Sequence, residues 1–181
     1  MQAEKRLQSK YNQVISKYQG YFTKPVYKFI RQLIFGILKS RHVHLSKISR
    51  SLNESIALKK TWERFSRNLF RKGLSSELMR AHIRENAREF KSKKFWVLDE
   101  TDISKAYAQA MEGLGSVWDG SNGEKGTGYW VVNVAGISTR DDSISLMYSE
   151  LFSLDHEQEK GMSSNKKITL SISTLRNELK V

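Results

Sequence analysis

The stretch FWVLDETDISK, residues 95–105, decides how this chain is read. Phe95 to Leu98 are four consecutive large hydrophobes bounded by Lys93 and Lys94. Nothing in them repeats at 3.6 residues, so they suit a buried strand rather than a helix. Strand alternation puts Val97, Asp99 and Thr101 on one face and Leu98, Glu100 and Asp102 on the other. Only one acid of the neighbouring Asp99 and Glu100 can therefore point at a given site.

A carboxylate carried into a sheet is costly to desolvate unless a cation or hydrogen-bond donors compensate. Two readings follow. Either the strand end opens into solvent, with Asp99 and Asp102 bonding turn amides, or the acids hold a hard divalent cation through oxygen ligands. The spacing alone does not choose between them.

Working outward, charge separates the chain into halves. Residues 1–92 carry 21 Lys and Arg against 6 Asp and Glu, a net +15, whereas residues 93–181 carry 10 against 13, a net −3. A boundary near Ser92 follows, between a basic region, 1–92, and a mildly acidic strand-bearing region, 93–181. Such a basic half suggests a polyanion-binding module; the plainer alternative is a solvated basic surface without a partner. At 181 residues with 39% hydrophobic content the chain can form one medium domain or two small ones. With no cysteine, disulfides and thiolate zinc sites are excluded and a reducing, cytoplasmic setting is expected. The start, MQAEKRLQSKYNQ, is too polar for a signal peptide, and no apolar run approaches membrane-spanning length.

The basic half reads as helices throughout. Leu7, Tyr11, Val14 and Tyr18 form one stripe, interrupted at Gly20. Thr23 and Pro25 open a second helix, with Val26, Phe29, Ile30, Leu33, Ile34, Ile37 and Leu38 as its apolar face. Leu45, Ile48 and Leu52 mark a short third helix. After a turn at Asn53, Glu54 and Ser55, the residues Leu58, Trp62, Phe65 and Leu69 begin a fourth. Short helix, tight turn and longer helix have the outline of a helix-turn-helix. Opposite its apolar stripe the longer helix carries Lys59, Lys60, Arg64 and Arg67, with Arg71 near its end, a set placed to meet DNA phosphates. Glu63 sits among them. Ser75 or Ser76 caps a further helix with Met79, Ile83, Ala87 and Phe90 inward and Arg80, Arg84, Arg88 and Lys91 outward. His42, His44, His82 and His156 show no metal-ligand spacing.

Beyond Lys105, glycines at 113, 115, 120, 123, 126 and 128 are too many for regular structure, and no phosphate-loop pattern accompanies them. Asp119, Gly120 and Ser121 read as a turn. YWVVNVAGI (129–137) and ISLMYSELF (144–152) are two further strands, giving an antiparallel meander of three with the first. After the acidic DHEQEKG (155–161), the run SSN caps a last helix striped by Ile168, Ile172, Leu175 and Leu179.

The segment LDETDISK (98–105), followed by MEGLGSVWDGSNGEKGTGYW (111–130) and VVNVAGI (131–137), resembles the start of the catalytic domain of bacterial insertion-sequence DDE transposases. The similarity takes in the preceding helical region, KPVYKFIRQLIFGILKSR (24–41) and HLSKISRSLNE (44–54). That resemblance implies an RNase H-like fold whose first catalytic aspartate lies in a D-x-T setting on the first strand. Asp99 would be that catalytic residue and metal ligand, with Thr101 and Asp102 supporting its placement. The implied fold class is α+β: a helical bundle, 1–92, then an RNase H-like domain, 93–181, with a three-stranded meander and one helix. In the family the second aspartate and the final glutamate come later; Asp141, Asp142 and Glu157 do not match them. The expectation is thus a transposase portion cut before its second aspartate and inactive alone. It would bind double-stranded DNA at transposon ends, as a homodimer if two copies meet there. Mg²⁺ or Mn²⁺ would serve only the complete protein. A non-catalytic regulator competing for transposon ends is the alternative, and a helical adaptor that binds no nucleic acid is a second.

Overall fold

The computed structural model describes residues 2–89, 94–108, 110–120, 122–139, 141–153, 155, 161 and 163–179. The protein is α+β. Among the described residues, helices α1 (Gln2–Ser16), α2 (Lys24–Ser40), α3 (Leu45–Leu52), α4 (Leu58–Leu69) and α5 (Leu74–Glu89) precede four strands. These are β1 (Lys94–Ser104), β2 (Gly115–Asp119), β3 (Glu124–Ser138) and β4 (Ile144–Phe152), and helix α6 (Ser164–Leu179) follows them. The chain divides into two compact units, Met1–Ala81 and His82–Val181. The division falls inside α5, while the compositional boundary near Ser92 lies outside the described residues, as do Phe90 and Lys91.

In the first unit, Thr23 and Pro25 set the start of α2 as their restricted backbone favours. Arg41, in the left-handed region at φ 55°, ends the helix and donates its N–H to the Ile37 carbonyl at 2.8 Å. The core gathers Tyr11, Ile15, Val26, Phe29, Ile30, Ile48, Phe65 and Leu74. Phe29 and Phe65 meet edge to face at 5.7 Å, joining α2 to α4. Gly36 lets α3 lie close against α2, because a Cβ there would stand 2.5 Å from Ile48 Cγ2.

Two inward faces differ from the apolar stripes. In α1 the buried residues are Tyr11, which the stripe includes, and Ile15, which it does not, while Val14 is 56% exposed and Leu7 also faces solvent. In α4 the buried positions are Thr61 and Phe65; Leu58, Trp62 and Leu69 are exposed. The inward face of α4 is rotated because it carries a polar cluster, described below, that the hydrophobic pattern does not register.

In the second unit β3 is the central strand. It pairs antiparallel with β1 over Gly128–Ser138 and with β4 over Trp130–Ile137, and its first residues pair with β2. Gly128 has partners in both β1 and β2, so β1 takes one edge of β3 while β2 and β4 share the other. The β2 strand corrects the reading of residues 111–128 as irregular. Gly115 and Gly128 serve close packing here rather than turning. A Cβ on Gly128 would stand 2.2 Å from the Ile103 carbonyl oxygen, and one on Gly115 2.4 Å from Ser153 Oγ. The β2–β3 turn is where DGS placed it, with Asp119 accepting from the Asn122 and Gly123 N–H groups and Gly123 at φ 71°.

A second correction concerns β1, which is not buried. It pairs on one edge only, no described strand covers the other, and Phe95 is 67% exposed, with Trp96 and Val97 also open. A third concerns α6. Ser163 begins it as expected, its Oγ accepting from the Lys166 N–H at 3.4 Å, but the inward stripe is Lys167, Ser171 and Leu175, while Ile172 faces solvent. The cause is Glu150 on β4. Its carboxylate accepts from Lys167 Nζ at 2.7 Å, from Ser171 Oγ at 3.3 Å and from the Tyr148 hydroxyl. Lys167, with a side chain 8% exposed, also stands over the Phe152 ring. Burial works to raise the Glu150 pKa, but the bonds from Lys167, Tyr148 and Ser171 outweigh it and hold the carboxyl below its usual range.

Within this unit the second half of α5 is tied by polar contacts. His82 donates from Nε2 to the Leu146 carbonyl at 2.6 Å, and Arg84 pairs with Glu178 at 3.0 Å. Arg84 is therefore not part of an outward basic row. His156 and most of the acidic DHEQEKG segment lie outside the described residues.

Candidate nucleic-acid interface and acidic strand

The polar cluster of the first unit is centred on Glu54, in the turn between α3 and α4. Glu54 Oε1 accepts from Gln32 Nε2 at 2.7 Å, and Oε2 accepts from Thr61 Oγ1 at 2.8 Å and Arg64 Nη2 at 2.7 Å. Arg64 Nη2 also donates to Gln32 Oε1 at 3.0 Å, and the guanidinium stands 5.3 Å from the Phe65 ring centroid. Three elements are thereby locked: α2 through Gln32, the turn through Glu54, and α4 through Thr61 and Arg64. The Glu54 side chain is 18% exposed. Burial pushes its pKa up, yet the bonds from Arg64, Thr61 and Gln32 prevail and hold it below the usual carboxylate range.

Arg64 was expected on the outward face and is instead a strut of the bundle. Its Nη2 donates to both Glu54 and Gln32 and its Nε is buried, so the guanidinium is turned into the bundle rather than out toward a phosphate. The other four expected cations are exposed. Lys59 pairs loosely with Glu63 at 3.9 Å, and Arg71 Nη2 bonds both carboxylate oxygens of Glu77 at 2.9 and 3.0 Å. Exposed pairs of this kind are worth little and exchange readily for another anion. Lys60 and Arg67, two turns apart and hence on one side of α4, have no acid partner among the described residues. Two further cations, Lys47 and Arg50, sit on one face of α3 and also lack an acid partner there. Their i,i+3 spacing in HLSKISR was the signal that could have found them.

Asp99 lies on β1, opposite Asn133 of β3, which in turn faces Ser149 of β4. Cross-strand partners in an antiparallel sheet share a face, so Asp99, Asn133 and Ser149 form one polar row. Thr101 shares that face. Glu100 lines up with Val132 and Glu150, and Asp102 with Trp130 and Phe152, on the face that α6 covers through Glu150. Asp102 therefore cannot help to orient the Asp99 carboxylate, because the sheet stands between them. Asp99 and Thr101 are exposed and Asp102 is partly buried.

A divalent ion of the magnesium type takes six oxygens, and a pair of them needs several carboxylates. The Asp99 row offers one carboxylate, one amide and one hydroxyl. Among the described residues no group of three or more His, Asp or Glu could hold a metal ion. The donors present thus do not fit a metal pair. Asp141, which the sequence left aside, caps the β3–β4 turn instead, where bonds from Ser138 and Ser143 hold its carboxyl below its usual range.

Among the described residues no helix is long and apolar enough to cross a membrane. No protein-family model, no curated protein and no solved structure matches the chain.

Proposed function

We propose that the chain binds double-stranded DNA through its basic helical unit and belongs to a DDE-type transposase. In that reading the strand-bearing unit is the opening of an RNase H-like catalytic domain, with Asp99 the first of its carboxylates. One observation carries the DNA reading. In a unit whose helices α3 and α4 flank a tight turn, Lys47, Arg50, Lys60 and Arg67 are exposed and unmatched by acids among the described residues, while the partly buried Arg64 of α4 is neutralised internally. Such a division leaves the outer cations for a polyanion. The transposase reading rests on the resemblance around LDETDISK and is supported by an acid-bearing first strand in an antiparallel sheet followed by a helix.

A second reading is favoured by the donor set around Asp99. With a single carboxylate in the Asp99 row among the described residues, that face suits a non-catalytic regulator that competes for the same DNA. Hydrogen exchange with and without a duplex tests the shared part: amides of α3 and α4 should gain protection while those of β1 do not. Protection confined to the sheet, or none at saturating DNA, would overturn it. The two readings part on cleavage by a longer form that carries the further acids: it nicks DNA with Mn²⁺ under the transposase reading, with Asp99→Ala abolishing the nicking, and nicks nothing under the regulator reading.

A further inference from the structure

The edges of the sheet in the second unit are treated unequally. The β4 edge carries a bulge opposite Val134 and Ala135, and α5 covers part of it: His82 Nε2 and Asn86 Nδ2 both donate to the Leu146 carbonyl, at 2.6 and 3.3 Å. Bulges and covering helices are devices that keep an edge from pairing with another chain. The β2 edge is only five residues long. Among the described residues the β1 edge has none of this protection. It runs eleven residues, Lys94–Ser104, in unbroken register with β3 and contains neither proline nor glycine. Phe95, Trp96, Val97 and Leu98 are all exposed along it.

The hydrogen-bond phase of that edge limits what can join it. Lys105 donates its N–H to the Thr127 carbonyl at 2.7 Å, and the β1–β3 register sets these two residues opposite one another. Odd-numbered residues of β1 thus turn their main-chain groups toward β3, while Lys94, Trp96, Leu98, Glu100, Asp102 and Ser104 turn theirs outward. Charge along the strand is equally directional, with Lys94 at its start and Asp99, Glu100 and Asp102 in its second half. A second β1 laid parallel in register sets like charge beside like, whereas an antiparallel one sets the basic end against the acidic end. Outward groups must meet outward groups, so a two-fold axis between the copies passes through a residue. At Asp99, Glu100, Thr101 or Asp102 such an axis opposes acid to acid. At Leu98 it gives the longest overlap without that conflict, residues 94–102, with Lys94 opposite Asp102 and about ten main-chain bonds. We infer that two copies of this chain join through β1, antiparallel about an axis at Leu98, so that two four-stranded sheets become one. This pairing stands whether or not the basic unit binds DNA.

Sedimentation of the whole chain over a concentration series reads the association, and charge reversal tests its cause. Lys94→Glu and Asp102→Lys should each weaken the dimer roughly tenfold, since either change sets like charges together at both ends of the overlap. The two combined bring opposite charges back together and should restore the affinity, which general disruption of the surface would not do. The chain has no cysteine, so an introduced one reports a single contact. Leu98→Cys, with about 5.5 Å between Cα atoms across the axis, should form a disulfide-linked dimer on mild oxidation. Val97→Cys, a diagonal neighbour of its own copy about 7 to 8 Å away, should lag well behind. Faster linkage at Val97 would overturn the Leu98 register. A chain that sediments as a monomer at every concentration, or a double reversal that associates no more tightly than the single ones, would overturn the pairing and leave the edge to a strand from a different partner.

Discussion

Replacing Glu54 with Ala should unfold the helical unit more readily than any surface charge change in this protein. The substitution orphans the Thr61 hydroxyl, which is almost fully buried, and strips Arg64 of its ion-pair partner. Arg64 Nε already lacks a partner, so the guanidinium has little alternative bonding in place. Removing one member of a fully buried pair costs about 3 to 5 kcal/mol. The Arg64 side chain is 26% exposed, and water replaces part of the lost bonding, so a loss of about 2 to 3 kcal/mol is expected. For a unit of this size that is a fall of roughly 10 to 15 °C in Tm. The assay is thermal and urea unfolding followed by circular dichroism. Arg64→Met combined with Glu54→Leu should recover much of the loss, since it removes both charges and fills the space. The sign with pH is fixed by the depressed Glu54 pKa: the contribution is present above the unfolded carboxyl pKa and disappears as pH falls through the lower folded value. An Ala variant as stable as the parent at neutral pH would refute the clamp.

Other outcomes follow from the same geometry. Lys60→Ala and Arg67→Ala should each reduce the salt slope of duplex binding by about 0.9 without loss of stability, whereas Arg64→Ala should destabilise; equal behaviour of all three would return Arg64 to the interface. Gly128→Ala places a Cβ 2.2 Å from the Ile103 carbonyl and should part the end of β1 from β3 at a cost of more than about 2 kcal/mol, read as faster amide exchange at Lys105, whose N–H bonds the Thr127 carbonyl. Tyr148, pushed up to about 12 chiefly by burial and by its bond to Glu150, contributes stability that is complete below the unfolded tyrosine pKa and is lost as pH rises from there through the folded value of about 12; an ultraviolet titration in which every tyrosine ionises near pH 10 would contradict it. Val97→Lys on the open β1 edge should reduce any concentration-dependent association of the chain, and unchanged light scattering would show that this edge is not the cause.

Helix positions were legible in the sequence because they depend on punctuation that acts locally: Thr23 and Pro25 before α2, Asn53 after α3, Ser163 before α6. Strand alternation in β1 was legible for the same reason, and Asp99 is on a strand with Thr101 beside it on one face. The inward faces of α4 and α6 were not, and both failed in the same way. Each helix turns a polar residue pair toward a carboxylate on another element, Thr61 and Arg64 toward Glu54, and Lys167 and Ser171 toward Glu150. A hydrophobic stripe reports apolar burial only, so a helix anchored by ion pairs is read about one residue out of phase. The β2 strand was hidden for a different reason. Its glycines look like turn formers until the close approaches of Ser153 and Ile103 show that they remove side chains where strands crowd. Burial of β1 could not be judged from its own residues, because an apolar strand is buried only if something covers it.

The measurement that bears most directly on the proposed DNA partner is the anisotropy of a fluorescent duplex titrated with the whole chain across a salt series. Four unmatched cations, Lys47, Arg50, Lys60 and Arg67, give a plot of log affinity against log salt with a slope of about −4. Affinity that does not change between about 50 and 200 mM salt, or no binding at the lower concentration, would contradict phosphate contacts and leave the basic face a solvated surface.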